Sequence, residues 1–447
     1  MGFVDGLLPR MACPGCGQPF GFLPARAPGL GRGEFGTLTC QCSEFPVVDG
    51  IPILLKDRVR MFEVSGTADP ERLTRSELVT LVKTGRCEEA LVRCLAPPTR
   101  PKWARIVGWR VSSSNLAERI LRWQGLRNMR TVLMGRDRAT VRSLLGFFFN
   151  GETLGPDFGD YLRLRFSQPR YLAAMSLVAS LEPAEQPVLD IACGIGHLAH
   201  YLTRRSEPTP VIGVDFNFHH VWIARHFMAP GGHFACVDAG DGLPFRSGSM
   251  SATVVSDAYH YLPNRPALLR EVDRVAPGRC RILTRVGNRA VMPNEGAELL
   301  LGGYLAELGD ADIRVFSERA LVSAYLARRN PMAGPFESDQ ALGGAKWLSF
   351  VSRGSPGKPA PAQWPHGVGR LAINPVYDLE ERNEGVRLTF RFPRPWYAFE
   401  NHQSLEYHPT RFVLEPGYAQ ALRAGELGPI EAAWLDQFIV VGLPERF

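Results

Sequence analysis

Apolar and polar positions follow two different periods along this chain, and the switches between them mark its parts. The first 56 residues close on an apolar run, Ile51-Pro-Ile-Leu-Leu55. From 57 to 165 the pattern is mostly helical. Leu116, Ile120 and Trp123 share a spacing close to one helical face, and Ser112, Ser113 and Ser114 ahead of them offer N-caps. Arg170 to Leu181 repeats the helical pattern. Short apolar runs and helical segments then take turns. Strands are expected at Pro187–Asp190, Val211–Asp215, Phe234–Asp238, Ala252–Ser256 and Arg281–Val286. Helices are expected at His197–Arg205, after Asp215 through Met228, and at Pro266–Val275. Strands separated by helices form βαβ units and a parallel sheet. Residues 315 to 328 read as helix and Trp347 to Ser352 as a late strand. Gly354 to Pro365 is rich in proline and glycine and reads as a linker. Beyond it, Asn383-Glu-Gly385 turns between Val376–Glu381 and Gly385–Phe392 in a hairpin.

The expected architecture is α/β and doubly wound. A cysteine-bearing module spans 1–56, a mainly helical substrate or lid region 57–165, the sheet domain 166–355, and a small α+β segment 366–447. A length of 447 residues suits two to four domains. Apolar residues at 45% and charged residues at 21% allow a large core. No run of 18 apolar residues exists and the start lacks a signal-peptide pattern, so no membrane association and a cytoplasmic location are expected. The net charge of +6 is mild and excludes little.

The block Val188-Leu-Asp-Ile-Ala-Cys-Gly-Ile-Gly196 carries the most information. A buried strand ends on Asp190, a small-residue loop with Gly194 and Gly196 follows, and a helix begins. Glycines let that backbone turn tightly and approach a ligand. Asp215, 25 residues later, ends a second strand, where a carboxylate accepts both hydroxyls of a ribose. A dinucleotide fingerprint would close its strand on glycine and aim a helix N-terminus at pyrophosphate. Here the strand closes on an acid, which suits an amino-acid tail.

These residues resemble the first motif of class I S-adenosylmethionine-dependent methyltransferases (a type 11-like core), with Ala192 in place of the usual first glycine. Val211 to Asn217 resembles the second motif, and Cys236 to Ala239 with Gly242 to Phe245 the third. The match runs over about 110 residues in order, through Ser256-Asp-Ala-Tyr-His-Tyr261 and the helix and Pro277-Gly278 turn before the fifth strand. The resemblance implies a Rossmann-like fold and S-adenosyl-L-methionine as cofactor. It implies that Asp190, Ala192, Gly194, Gly196, Asp215, Phe216, Asp238, Ala239 and Ser256 hold it. His260, Asp257 and Tyr259 stand where the acceptor meets the methyl group in this class, and are the candidates for catalysis. His219 and His220 fall beside Asp215.

The chain has nine cysteines, and four of them, Cys13-x-x-Cys16 and Cys40-x-Cys42, form two knuckles. Tetrahedral Zn²⁺ takes four thiolates from two such turns. Phe45 to Leu55 resembles the tail of the zinc-ribbon activator of tRNA and protein methyltransferases, here fused to the chain. Structural zinc is the second expected cofactor.

Between Arg93 and Arg142 lie twelve Lys/Arg, two acids, and Trp103, Trp109 and Trp123. Such a stretch is either a solvated helical face or an RNA-binding surface. The first functional expectation is methyl transfer to a small molecule or peptide-derived metabolite. The alternatives are an RNA methyltransferase and a non-catalytic binding module. Ser256-Asp-Ala-Tyr259 departs from the Asp/Asn-Pro-Pro-Tyr signature of amide and amine methylation, which leaves O-, C- and other N-acceptors open.

Overall fold

The computed structural model describes residues 2–25, 33–56, 73–97, 116–149, 156–292, 298–309, 312–353, 364–383, 385–424 and 432–447. Trp103, Trp109, the serines at 112–114 and most of the expected linker lie outside the described residues.

The N-terminal module is an antiparallel sheet of β1 (Gly21–Pro24), β2 (Gly36–Thr39), β3 (Glu44–Val48) and β4 (Ile51–Pro52). Helices Arg75–Lys83, Cys87–Leu95, Leu116–Met134, Val141–Phe148 and Pro156–Arg163 follow. The sheet domain then supplies β5 (Val188–Ile191), β6 (Val211–Asp215), β7 (His233–Cys236), β8 (Ala252–Ser256), β9 (Cys280–Gly287), β10 (Ile313–Ser317) and β11 (Trp347–Ser352). These form one seven-stranded sheet in the order β10-β11-β9-β8-β5-β6-β7. β5, β6, β7, β8 and β9 are parallel neighbours, and β11 runs antiparallel between β9 and β10. The expected doubly wound α/β fold is therefore present, with β5 central and its order reversing on either side.

The sheet is buried on both faces, which explains its near-continuous apolar strands. Val188, Val211 and Val254 join the core shared with the helical region. Leu189, Ile191, Ile212, Val214 and Val255 face the second core, which includes Phe3, Leu38, Phe45 and Val47 of the N-terminal module. Beyond β7, Ile53 pairs in parallel with Cys236, and the Leu54 N–H donates to the Cys236 carbonyl at 2.9 Å. The module so covers a sheet edge that would otherwise be open.

Asp49, at the β3–β4 turn, is wholly buried and ties three parts of the chain together. It accepts hydrogen bonds from Gly33 N–H, Trp222 Nε1 and Arg136 Nη1 (2.6, 2.9 and 3.0 Å), and His226 Nε2 lies 3.0 Å away. Burial alone would raise its pKa. His226, Arg136 and the Gly33 amide outweigh that and hold it well below the carboxylate range.

One expectation is corrected here: residues 315–317 belong to β10, and the helix begins at Glu318. The Ser317 hydroxyl accepts from Ala320 N–H at 3.1 Å and caps that helix. The C-terminal segment contains β12 (Arg370–Ile373), β13 (Tyr377–Arg382), β14 (Gly385–Phe390), β15 (Arg411–Leu414) and β16 (Val440–Leu443). β13, β14 and β15 form one sheet, with the expected hairpin between β13 and β14, and β12 pairs with β16. Its own core holds Val376, Leu388, Leu414 and Ile439. Trp396 and Tyr397 sit in helix Pro395–Asn401.

Candidate active site

The site lies at the carboxyl ends of β5, β6, β7 and β8, where ligands bind in open α/β sheets. After β5 the loop turns through left-handed backbone at Ala192, Gly194 and Gly196, with φ of 58°, 53° and 87°. Ala192 is strained by about 1–2 kcal/mol there. A side chain added at Gly194 would meet nothing within 4 Å, so the loop faces open space. The Gly194 N–H donates to Asp215 Oδ2 at 3.0 Å, and the Asn217 N–H donates to Oδ1 at 2.8 Å. His220 Nδ1 stands 3.3 Å from the same oxygen. Asp215 therefore fixes the glycine loop from the neighbouring strand. Asp238 accepts from Gly240 N–H at 3.0 Å after β7, Ala239 starts the short helix that follows, and the Phe216 carbonyl accepts from the Cys236 thiol.

Asp190 is almost wholly buried, and its Oδ2 has no hydrogen-bond partner among the described residues. Burial raises its pKa to about 8. Arg165 pulls against that, and Asp215 adds to it. An orphaned buried carboxyl oxygen beside an open glycine loop fits the ammonium of an amino-acid tail. Asp190, the Ala192–Gly196 loop, Asp215, Asp238 and Ala239 would thus hold S-adenosyl-L-methionine. Helices Val141–Phe148 and Pro156–Arg163 bring an aromatic layer over this edge. Phe149 and Phe158 lie 6.3 and 5.9 Å from the His220 ring, and Phe158 stacks on Tyr161 at 5.4 Å.

The three catalytic candidates have three different surroundings. Asp257 has left-handed backbone (φ 58°) and a carboxylate surrounded by donors. Tyr161 Oη donates to it at 2.9 Å, with Arg285, Arg170 and Arg165 at 2.8, 3.1 and 3.5 Å. Burial would raise its pKa, but the three arginines outweigh it and hold Asp257 well below the carboxylate range. That corrects its expected role: Asp257 anchors cations and does not exchange protons near neutral pH. Tyr259 donates its hydroxyl to Glu307 and packs into the core with Tyr304, so it is a structural residue too. His260 differs from both. It is 2% exposed, and neither ring nitrogen has a hydrogen-bond partner among the described residues. Burial holds its pKa down to about 4, against a smaller upward pull from Asp257. Ser256 accepts from Thr284 at 3.0 Å below this edge.

Several residues here escaped the sequence reading. Arg285, also left-handed (φ 53°), lies 3.7 Å over the Trp347 ring and bonds Glu400 at 2.7 Å and Glu318 at 3.0 Å. Arg170 and Lys346 reach the same Glu400 at 3.3 and 3.1 Å. The C-terminal segment thus delivers a carboxylate to the acceptor edge. Tyr261, 73% exposed, closes the rim beside His260, with ring centroids 3.9 Å apart.

In the N-terminal module, the sulfurs of Cys13, Cys16, Cys40 and Cys42 all lie within 4.8 Å of one another. The pairs Cys13–Cys42 and Cys40–Cys42 are each 3.5 Å apart, and Gly15 N–H donates to Cys13 Sγ. Tetrahedral thiolates about 2.3 Å from Zn²⁺ lie about 3.8 Å from each other, so the donor set fits.

Part of the basic region is neutralised where it is described. Arg93 pairs with Glu77 and Glu89, Arg130 with Glu88, and Arg136 with Asp49. Arg127 lies over the Trp123 ring at 5.4 Å.

The strand order defines a Rossmann-like domain, and residues 188–277 match the family described as methyltransferase domain. Among curated relatives, the chain is 30% identical over 170 residues to phthiotriol/phenolphthiotriol dimycocerosates methyltransferase 1 of Mycobacterium ulcerans. That match covers 36% of this chain and 62% of the relative. A fatty-acid O-methyltransferase of Mycolicibacterium smegmatis is 29% identical over 148 residues, covering 33% of this chain and 50% of the relative. The chain therefore spans less than two thirds of the length of either. Among solved structures, a S-adenosylmethionine-dependent methyltransferase from Mesorhizobium loti is 16% identical, with a TM-score of 0.32, covering 42% of this chain and 98% of that one. A TehB-like methyltransferase from Corynebacterium glutamicum is 15% identical, with a TM-score of 0.29, covering 40% and 85%. Among the described residues, no helix is long and apolar enough to cross a membrane.

Proposed function

We propose that this protein transfers a methyl group from S-adenosyl-L-methionine to an apolar small molecule of the lipid class. The observation that carries the reading is the orphaned Asp190 carboxyl beside the open Gly194 loop, which Asp215 pins from the next strand. The named activities of the curated relatives, on phthiotriol dimycocerosates and on a fatty acid, supply the acceptor class. The fit of the four cysteines supports a structural zinc.

The cofactor, when bound, supplies an electrophilic methyl group. What remains for the chain is placement and the fate of one proton. Asp215 orients the ribose, and Asp190 pairs with the amino-acid tail. Asp257, locked by Arg165, Arg170 and Arg285, keeps the acceptor edge rigid. Burial favours the neutral imidazole of His260, and its one unprotonated ring nitrogen, without a partner among the described residues, would receive the proton of a hydroxyl acceptor. An RNA acceptor has less support, since Arg93, Arg130 and Arg136 of the basic region already face acids of this chain.

The test supplies methyl-labelled cofactor, the purified protein, and a total lipid extract or bulk RNA in parallel. Label in the organic-soluble lipid fraction is the expected result. Label confined to nuclease-sensitive material would overturn the lipid reading. His260→Ala is expected to lower turnover of a hydroxyl acceptor by about 10²-fold or more.

A further inference from the structure

A second cleft, away from the sheet edge, lies at the seam between the helical region and the C-terminal segment. Its cavity measures about 280 Å³. Arg142 enters it from the first turn of helix Val141–Phe148, Arg163 from the end of helix Pro156–Arg163, and Arg391 from beyond β14. Asp378 also lines it.

The charges in this cleft do not balance. Arg391 Nε pairs with Asp378 at 3.2 Å. Arg163 pairs with Asp160 at 3.0 Å, and Asp160 is shared with Arg394 at 3.2 Å. That leaves Arg142, whose guanidinium has no hydrogen bond or ion pair among the described residues. Only its backbone N–H is used, toward the Phe447 carbonyl at 3.4 Å. Partial burial and the nearby Arg163 charge both press the Arg142 pKa downward. Two guanidiniums that repel each other across an open cavity, with one lacking a counter-charge, make a receptor for an oxyanion.

We propose that this cleft binds the phosphate group of a small molecule between Arg142 and Arg163. Planar guanidiniums meet phosphate oxygens two at a time, and a dianion cancels the excess charge of both arginines. The cavity leaves room for a small organic body beside the phosphate. The helix that carries Arg163 also carries Tyr161, which bonds Asp257 at the acceptor edge, so an occupant here bears on the position of that helix. The site does not depend on the methyl-transfer reading.

The test is calorimetric titration of the full chain with inorganic phosphate at low ionic strength. Binding at one site per chain is expected. Arg142→Gln is expected to weaken it at least tenfold, and Arg142→Lys less so, because charge stays while paired donation is lost. S-adenosylhomocysteine affinity and the melting temperature of both variants should match the parent, since the Arg142 side chain bonds nothing among the described residues. Failure of the methyl-transfer reading would instead appear as missing S-adenosylhomocysteine binding with phosphate binding intact. No phosphate binding, binding that Arg142→Gln leaves unchanged, or acetate competing as well as phosphate would each overturn the proposal.

Discussion

Asp190 is a carboxylic acid kept neutral by its burial, and its pKa of about 8 has two consequences. The folded chain holds a proton there that the unfolded chain loses near pH 4. Asp190 therefore subtracts stability progressively as pH rises from about 4 to 8. A ligand ammonium pairs with the ionised form, so S-adenosylhomocysteine affinity should rise between pH 6 and 8, by at most tenfold per unit. Calorimetry at three pH values checks this, and Asp190→Asn should flatten the profile. Arg285 faces three acids at once. Arg285→Ala should destabilise the fold by about 3–5 kcal/mol, read by denaturant unfolding, because Asp257 and Glu400 lose their shortest cationic contacts. At this scale the strand-end acids were legible in the sequence, because a carboxylate closing an apolar strand before a glycine loop is a local signal. Arg165, Arg170, Arg285 and Glu400 were not. Their pairings span up to 230 positions, and no periodicity announces a partner that only the folded sheet brings near.

The elements were legible wherever one period ran long enough. β6, β8 and β11 fall where the apolar runs placed them. β10 was missed because its five residues run straight into a helix, although Ile313 and Val315 alternate and Ser317 is a ready cap. The docking of the N-terminal module on β7 was also hidden, since edge pairing is made by backbone groups and leaves no side-chain pattern. That module should depend on its metal. Cys40→Ser should release zinc, measured by a chromogenic chelator, and lower the melting temperature as the four-sulfur site loses a ligand. Asp49→Ala should have a separate effect, about 3–5 kcal/mol of lost stability, by stranding Arg136 against Trp222 in the core.

Buried histidines are spread through the whole molecule. Of ten, His197, His200, His219, His226, His233, His260, His366 and His408 all have pKa values pushed down, burial being the first cause in each. Several bridge distant parts: His200 joins the Met228 and Val368 carbonyls, and His366 joins Tyr325 to Leu435. The unfolded chain takes up protons near pH 6.5, whereas folded His200, His233, His260, His366 and His408 resist until about 4, and His197, His219 and His226 are held down as well. The stability they contribute is present above pH 6.5 and is lost as pH falls from there toward 4. Melting curves should therefore show a broad acid-side decline that begins near pH 6.5, steeper than the opposing Asp190 contribution. The α/β fold was legible in the sequence because the sheet alternates with helices. The union of the C-terminal segment with the acceptor edge was not, because Glu400 meets Arg170, Arg285 and Lys346 only across long stretches of sequence.

Calorimetric titration with S-adenosylhomocysteine reaches the central claim most directly. The parent chain should bind one equivalent, and Asp215→Ala, which removes the carboxylate pinning Gly194 and Asn217, should bind at least a hundredfold more weakly. No binding to the parent, or equal binding by the variant, would contradict the placement of the cofactor at the ends of β5 and β6.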